Sequence, residues 1–115
     1  MNEQAVWFLS GDLMFASRVQ AAANDAGFAF RLLGNLPDED DGQPPSWIIL
    51  DLASRARLLP DVVAAGKPRY PDARWIAYGP HVQVDSLNAA RTAGIETVLT
   101  RGQFNAALNT LFSGE

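Results

Sequence analysis

The residue best placed for chemistry is Asp51, which ends the apolar run Trp47-Ile48-Ile49-Leu50. Because this run does not alternate with polar residues, it predicts a strand buried on both faces, as in a parallel sheet covered by helices. A carboxylate at the carboxyl end of such a strand lies where open α/β sheets bind their ligands. Asp51 is therefore a candidate acceptor, base or metal ligand. The structural alternative is that it caps the helix or turn that follows.

Two other candidate residues follow predicted strands. Asp12 comes after the first strand and is a good N-cap for a helix that starts at Leu13. His81, the only histidine, follows the fourth strand. It is either a partner of Asp51 in a pH-sensitive loop or a solvent-exposed loop residue. A single histidine in a chain without cysteine argues against a zinc site, and we expect no metal centre of that kind.

The composition excludes several classes of protein. A chain of 115 residues with 48% hydrophobic residues fits one domain, residues 1–115, with its own core. A formal net charge of -4 argues against nucleic-acid binding, and the absence of cysteine excludes disulfides and thiolate nucleophiles. No apolar run approaches the roughly 20 residues of a membrane span, and no signal peptide is visible. We therefore expect a cytoplasmic protein that does not contact membranes.

Five predicted strands alternate with helices along the chain. The strands cover Ala5–Leu9, Phe28–Leu33, Trp47–Leu52, Arg74–Tyr78 and Thr97–Leu99. The helices cover residues 13–26, 58–66, 84–93 and 103–112. The first helix carries an apolar stripe at Leu13, Ala16, Val19, Ala23 and Ala26, and Gly27 ends it. This alternation is typical of parallel βαβ units with right-handed crossovers.

The segment 34–46 differs from the rest of the chain. It holds two glycines, three prolines and four acidic residues, Asp38, Glu39, Asp40 and Asp41. Such a composition does not support a packed helix. We predict a mobile acidic loop here, and hence a shortened or absent helix between the second and third strands.

The chain resembles the receiver (CheY-like) domain of response regulators over nearly its whole length. The resemblance rests on the five-fold α/β alternation, on Asp51 at the end of the third strand, and on the run at residues 89–94 that precedes the fifth strand. It implies a doubly wound five-stranded parallel sheet of flavodoxin-like order 2-1-3-4-5, with helices on both faces. It also implies that Asp51 occupies the position of the phosphate-accepting aspartate.

The other functional positions of the family are changed. With Gly27 and Gly94 as anchors, the acidic pair falls on Ser10 and Gly11, and Asp12 follows one position late. The remaining positions, those of the hydroxyl residue, the lysine and a common proline, fall on Gly79, Arg101 and Arg55.

These changes weaken the family's chemistry. Asp51 with only Asp12 nearby would bind Mg²⁺ weakly at best, because Mg²⁺ wants several hard oxygen ligands. Arg101 carries the charge of lysine in a different, planar shape. The pattern therefore resembles a degenerate receiver, or pseudo-receiver. We expect Asp51, Asp12 and Arg101 to cluster at the carboxyl edge of the sheet, with Gly79 leaving room beside them. Arg101 should lie close enough to pair with Asp51, directly or through water.

Three functions follow from this reading. The first is a stand-alone, non-enzymatic signalling or interaction module that needs no phosphorylation and binds a protein partner or itself through the last strand and its flanking helices. The second is an atypical phospho-acceptor, with Asp51 as nucleophile and Arg101 as counter-cation. The third is a flavodoxin-like small-molecule binder, which is disfavoured because Ser10-Gly11-Asp12 has one glycine and an acid where a phosphate would approach.

Overall fold

A five-stranded parallel sheet forms the centre of the protein. The computed structural model describes residues 4–38 and 44–113. In these ranges the strands are β1 (Ala5–Leu9), β2 (Ala29–Leu33), β3 (Pro45–Asp51), β4 (Arg74–Gly79) and β5 (Thr97–Thr100). Their order is β2-β1-β3-β4-β5, and every neighbouring pair is parallel. The predicted α/β class and strand order are confirmed.

Helices cover both faces of the sheet. They are α1 (Leu13–Asp25), α2 (Leu52–Arg55), α3 (Asp61–Arg69), α4 (Val84–Thr92) and α5 (Arg101–Leu111), and a 3₁₀ turn at Ala56–Leu58 separates α2 from α3. Residues of α1 and α5 pack in one core cluster, and residues of α3 and α4 pack in the other. No helix in the described part of the chain has both the length and the apolar character to cross a membrane.

The central strands are buried on both faces. Every residue of β1 is buried, and so are Ile48, Ile49 and Leu50 of β3. Alternate residues point to opposite cores, so that Trp7 packs with Ile48 and Phe8 packs with Ile49. This two-sided burial explains why the apolar run of β3 does not alternate in sequence.

The predicted boundaries of two elements were wrong. Strand β3 begins at Pro45, inside the predicted loop 34–46, and it ends at Asp51 because Leu52 already belongs to α2. The described residues of that loop, 34–38 and 44, form no helix; residues 39–43, which hold Glu39, Asp40 and Asp41, lie outside the described ranges. Helix α3 continues past the predicted end to Arg69, because Pro68 lies in its last turn, where a missing N–H removes only one hydrogen bond.

The apolar stripe of α1 was partly misplaced. Its buried residues are Phe15, Ala16, Val19 and Ala23, whereas Leu13 is 71% exposed. Leu13 is the first residue of the helix and lies at the rim of the sheet, so nothing covers it. The predicted helix ends are confirmed: Gly27 and Gly94 have φ of 89° and 106°, the left-handed conformation that favours glycine after a helix.

Candidate functional site

Asp51 lies at the carboxyl end of β3 and is buried, with 1% of its surface exposed. Its neighbour across the sheet on β4 is Tyr78. On the other side, Ser10 follows β1, the adjacent parallel strand. Because β1, β3 and β4 are neighbours in the sheet, the side chains of Ser10, Asp51 and Tyr78 lie side by side at its carboxyl edge.

The Asp51 carboxylate is fully engaged with nearby donors. The Ser10 hydroxyl donates to Oδ2 at 2.7 Å, and the Ser54 hydroxyl donates to the same oxygen at 2.9 Å. The backbone N–H of Ala53 donates to Oδ1 at 3.0 Å. This last bond caps α2, so Asp51 also has the capping role that the sequence allowed as an alternative.

The loop after β1 is tied to the same network. The backbone N–H of Asp12 donates to the Ser10 hydroxyl at 2.9 Å, and the backbone N–H of Gly11 donates to the Ser54 hydroxyl at 3.0 Å. Ser10 and Gly11, the two positions predicted to have lost an acidic pair, therefore supply a hydroxyl and an amide toward Asp51 and its partner. Hydrogen-bond donors therefore lie at the two positions where receiver domains carry carboxylates. The role of Ser54 in this network was not predicted from the sequence.

The structure shows no direct pair of Arg101 with Asp51 among the described residues. Arg101 instead forms an ion pair with Asp12, with Nη2 of Arg101 3.2 Å from Oδ2 of Asp12. The reason is the position of its guanidinium, which lies 4.8 Å from the centre of the Phe15 ring on α1 and so reaches the carboxylate that begins that helix. Among the described residues, Asp51 has no ion-pair partner.

Asp12 serves as the N-cap of α1. Its Oδ1 accepts the backbone N–H of Phe15 at 3.0 Å. This hydrogen bond, and next to it the Arg101 guanidinium, hold the pKa of the Asp12 carboxyl below its usual value of 3.8. Asp12 is therefore charged at neutral pH and already committed to two partners.

Gly79 does not leave the predicted room beside Asp51. A Cβ atom at Gly79 would lie 3.0 Å from Cβ of Leu52, closer than side chains normally approach. Leu52 is itself 2% exposed, because α2 begins directly after Asp51 and turns this side chain into the core. The space that a side chain at position 79 would need is thus filled by Leu52, the first residue of α2.

Tyr78 is a buried polar residue that the sequence did not reveal as part of the site. Its ring stacks on Phe104 with centroids 4.3 Å apart, and its hydroxyl has no hydrogen-bond partner among the described residues. Burial raises the pKa of the Tyr78 hydroxyl strongly, and the negative charge of Asp51 raises it further. Tyr78 is therefore an uncharged aromatic residue packed beside Asp51.

Two more residues complete the description of this edge. His81 lies in the turn after β4 and is exposed, and it forms no hydrogen bond or ion pair with Asp51 in the described structure. Arg55, at the family's proline position, lies close to Gly11: a Cβ at Gly11 would be 3.4 Å from Nη2 of Arg55. Sequence reasoning noted Arg55 only as a missing proline, since nothing local indicates that its side chain returns to the loop after β1.

Solved structures with this architecture were found over nearly the whole chain. One is a response regulator from Thermotoga maritima, with a TM-score of 0.70 and 10% identity over 98% of this chain and 99% of that one. Another is the phosphorylated cyanobacterial phytochrome response regulator RcpA, with a TM-score of 0.72 and 12% identity over 97% and 90% of the two chains. The chain has the receiver-domain fold. No protein-family model matches its sequence, and no curated protein matches it significantly.

A third structure with the receiver fold contains a modified aspartate and a divalent ion. It is a response regulator from Burkholderia pseudomallei with a phosphorylated aspartic acid, a calcium ion and citrate; its TM-score is 0.67, with 20% identity over 96% of this chain and 69% of that one. A divalent ion in a receiver fold needs several oxygen ligands.

The donor set of this chain does not suit such an ion. The oxygens of Asp51 accept from Ser10, Ser54 and Ala53, and those of Asp12 accept from Phe15 and Arg101. In the described ranges no three acidic or histidine side chains converge on one point. The receiver fold is present here with hydrogen-bond donors around its central aspartate.

Proposed function

We propose that this protein is a receiver-like signalling module that acts through protein–protein contact, without phosphorylation of Asp51 and without a catalytic activity of its own. The observation that carries the proposal is the state of Asp51, which is buried and accepts three hydrogen bonds. The cytoplasmic location expected from the sequence is part of this proposal.

The chemistry of phospho-transfer supports this view. A carboxylate oxygen that attacks a phosphoryl group must be free and accessible, and here Ser10 and Ser54 both occupy Oδ2. A divalent ion or a free cation would have to neutralise the developing charge. Asp12 and Arg101, the nearest candidates for those roles, are paired with each other.

The conformational step of a phospho-switch also lacks its usual parts. A modification shifts an equilibrium only through contacts that differ between the two states. A hydroxyl at position 79 would supply such a contact in the receiver family. Here the residue is glycine, and Leu52 fills the space beside it.

Mass spectrometry of the intact protein after incubation with acetyl phosphate and Mg²⁺ tests the proposal. We expect no phosphoryl adduct, under conditions in which a competent receiver domain in the same tube becomes modified. The second candidate function, an atypical phospho-acceptor, is favoured by one observation only: Asp51 lies at the end of β3, where the family carries its acceptor. An adduct that disappears in Asp51→Asn would establish that function instead.

The surface we propose for protein contact consists of β5 with α4 and α5. In the described structure β5 pairs only with β4, so its other edge is open to a partner. Among the structures that share the fold, one is the beryllofluoride-activated NtrC4 receiver domain dimer, with a TM-score of 0.65 and 17% identity. Sedimentation velocity separates the two kinds of partner: a dimer that Thr97→Lys dissociates identifies a second copy, and a monomer identifies a different protein.

A further inference from the structure

Two arginine side chains converge on one carbonyl oxygen at the carboxyl edge of the sheet. Nη1 of Arg55 and Nη1 of Arg57 each donate to the backbone oxygen of Ser54, at 3.1 Å in both cases. Since both bonds end on the same atom, the two nitrogens lie within about 6 Å of each other, where like charges repel unless an anion is nearby. The remaining donors of the two guanidinium groups form no hydrogen bond to the described residues.

Within residues 4–38 and 44–113, neither arginine has an acidic partner. The ion pairs of the described residues are Lys67 with Glu96 and Arg101 with Asp12. In addition, Nε of Arg55 is buried and has no hydrogen-bond acceptor. A buried charged donor without an acceptor is costly, and such groups in native proteins generally have an explanation, such as an ion or a ligand.

These side chains lie at a particular place in the sheet. The Arg55 guanidinium lies beside Gly11, after β1, and near Gly34, after β2: Cβ atoms at these glycines would be 3.4 Å and 3.8 Å from Nη2. Arg55 and Arg57 themselves follow β3. In the order 2-1-3-4-5 the chain reverses direction between β1 and β3, and open α/β sheets bind ligands at the carboxyl edge of this point. Both glycines are exposed and carry no side chain that would block the approach.

We propose that Arg55 and Arg57 bind the phosphoryl group of a small molecule at this point. A dianion neutralises both guanidinium groups, and a planar fork matches phosphoryl oxygens with two parallel hydrogen bonds. Nη2 of Arg55 and its Nε, which lacks an acceptor, are the donors left for such a ligand. Among the described acids, Asp51 and Asp12 do not compete for the arginines, because both are held by their own donors. This binding site goes beyond the proposed function and does not depend on it.

Titration with inorganic phosphate at constant ionic strength, followed by NMR of the arginine Nε–H signals, tests the site. We expect a saturable shift of the Arg55 signal. The variants Arg55→Ala and Arg57→Ala should each weaken binding at least about tenfold, and Arg55→Lys, which keeps the charge without the fork, should weaken it as well. Arg91→Ala is the matched control, because Arg91 is an exposed arginine on α4 bonded only to Asn88, and it should leave the affinity unchanged.

A second titration with adenosine 5′-monophosphate identifies the source of the phosphoryl group. Equal affinity for the two probes supports a site for free phosphate, and tighter binding of the nucleotide supports a site for a phosphorylated metabolite. The proposal is overturned if neither probe gives saturable binding, or if the double variant Arg55→Ala, Arg57→Ala binds both probes as the unaltered chain does. Backbone amide spectra establish whether each variant is folded. If an alanine variant is unfolded, the comparison of Arg55→Lys with the unaltered chain still tests the site.

Discussion

Leu52 and Gly79 form the contact that leaves no space for a side chain at position 79, beside Asp51. Leu52 is buried directly after Asp51, and its Cβ lies 3.0 Å from the place where a Cβ of residue 79 would be. Restoring the family's hydroxyl by a single substitution therefore creates a steric conflict before it creates a hydrogen bond. A side chain at position 79 therefore requires a change at position 52 as well.

We expect Gly79→Ser to destabilise the protein by about 1–3 kcal/mol, because Leu52 must move to admit the new side chain. Urea unfolding measures this change in the free energy of unfolding. Gly102→Ser is the matched control, since a Cβ at Gly102 has no neighbour within 4 Å, and it should change stability little. A Gly79→Ser variant as stable as the unaltered chain would show that the position is open after all.

Asp12 gives the site a pH dependence of definite sign. Its pKa in the folded protein lies below the usual 3.8, chiefly because Phe15 donates to it. Ionised Asp12 therefore stabilises the fold above pH 3.8, and this contribution disappears as the pH falls through the lower, folded-state value.

The variant Asp12→Ala should lower the free energy of unfolding by about 1 kcal/mol at pH 7, as loss of an N-cap usually does. Urea unfolding between pH 7 and pH 3 should show this difference shrinking as the pH is lowered. Asp72→Ala, at an exposed loop position before β4, serves as the control and should show no such trend. A difference that stays constant across the series would contradict the role of the ionised carboxylate.

The sequence predicted the positions of Asp51 and Asp12 at the edge of the sheet but not their partners. Strand ends can be recognised from apolar runs, and an N-cap can be recognised from its local context. Ser54, Tyr78 and Arg55 were missed because their roles depend on which loops become neighbours after folding. The direct partner of Arg101 was missed for the same reason, since only the structure places Arg101 over Phe15 and beside Asp12.

At the scale of elements, the strands and the glycines that follow helices could be predicted from the sequence. The helical segment after β3 could not. The strands are apolar runs between strong breakers, whereas the segment from Leu52 to Arg69 folds into two short helices and a 3₁₀ turn with three helix-terminating signals among them. Pro60 and Pro68 both lie at helix ends, and Gly66 lies inside α3. Judged from the sequence alone, Gly66 ends the helix, whereas in the structure α3 continues to Arg69.

Gly66 explains why α3 is helical in spite of its composition. A Cβ at Gly66 would lie 2.5 Å from Cζ2 and 2.7 Å from Cη2 of Trp75, a buried residue of β4. The helix therefore lies against the indole, and only glycine permits this approach.

We expect Gly66→Ala to destabilise the protein by about 1–3 kcal/mol in thermal or urea unfolding, although alanine is the better helix former. Gly102→Ala in α5 is the control and should be neutral or stabilising, because nothing lies near its Cβ. If Gly66→Ala were stabilising to the same degree, the close packing of α3 on Trp75 would be wrong.

At the scale of the whole molecule, a receiver fold is combined with an aspartate that is held by hydrogen bonds. The fold followed from the alternation of strands and helices, because few topologies satisfy buried parallel strands with right-handed crossovers. The function does not follow from the fold. It has to be argued from Asp51 and its three donors, from the Arg101–Asp12 pair, and from the leucine beside Gly79.

The most direct test of this account is the response of the backbone amide NMR spectrum to beryllofluoride with Mg²⁺, the mimic of a phosphorylated aspartate. We expect an essentially unchanged spectrum, because Asp51 Oδ2 already accepts two hydrogen bonds and position 79 has no side chain to contact a new group. A competent receiver domain in parallel verifies the reagent. Shifts that begin at Asp51 and spread to β5 and α5 would contradict the account and identify a working phospho-switch.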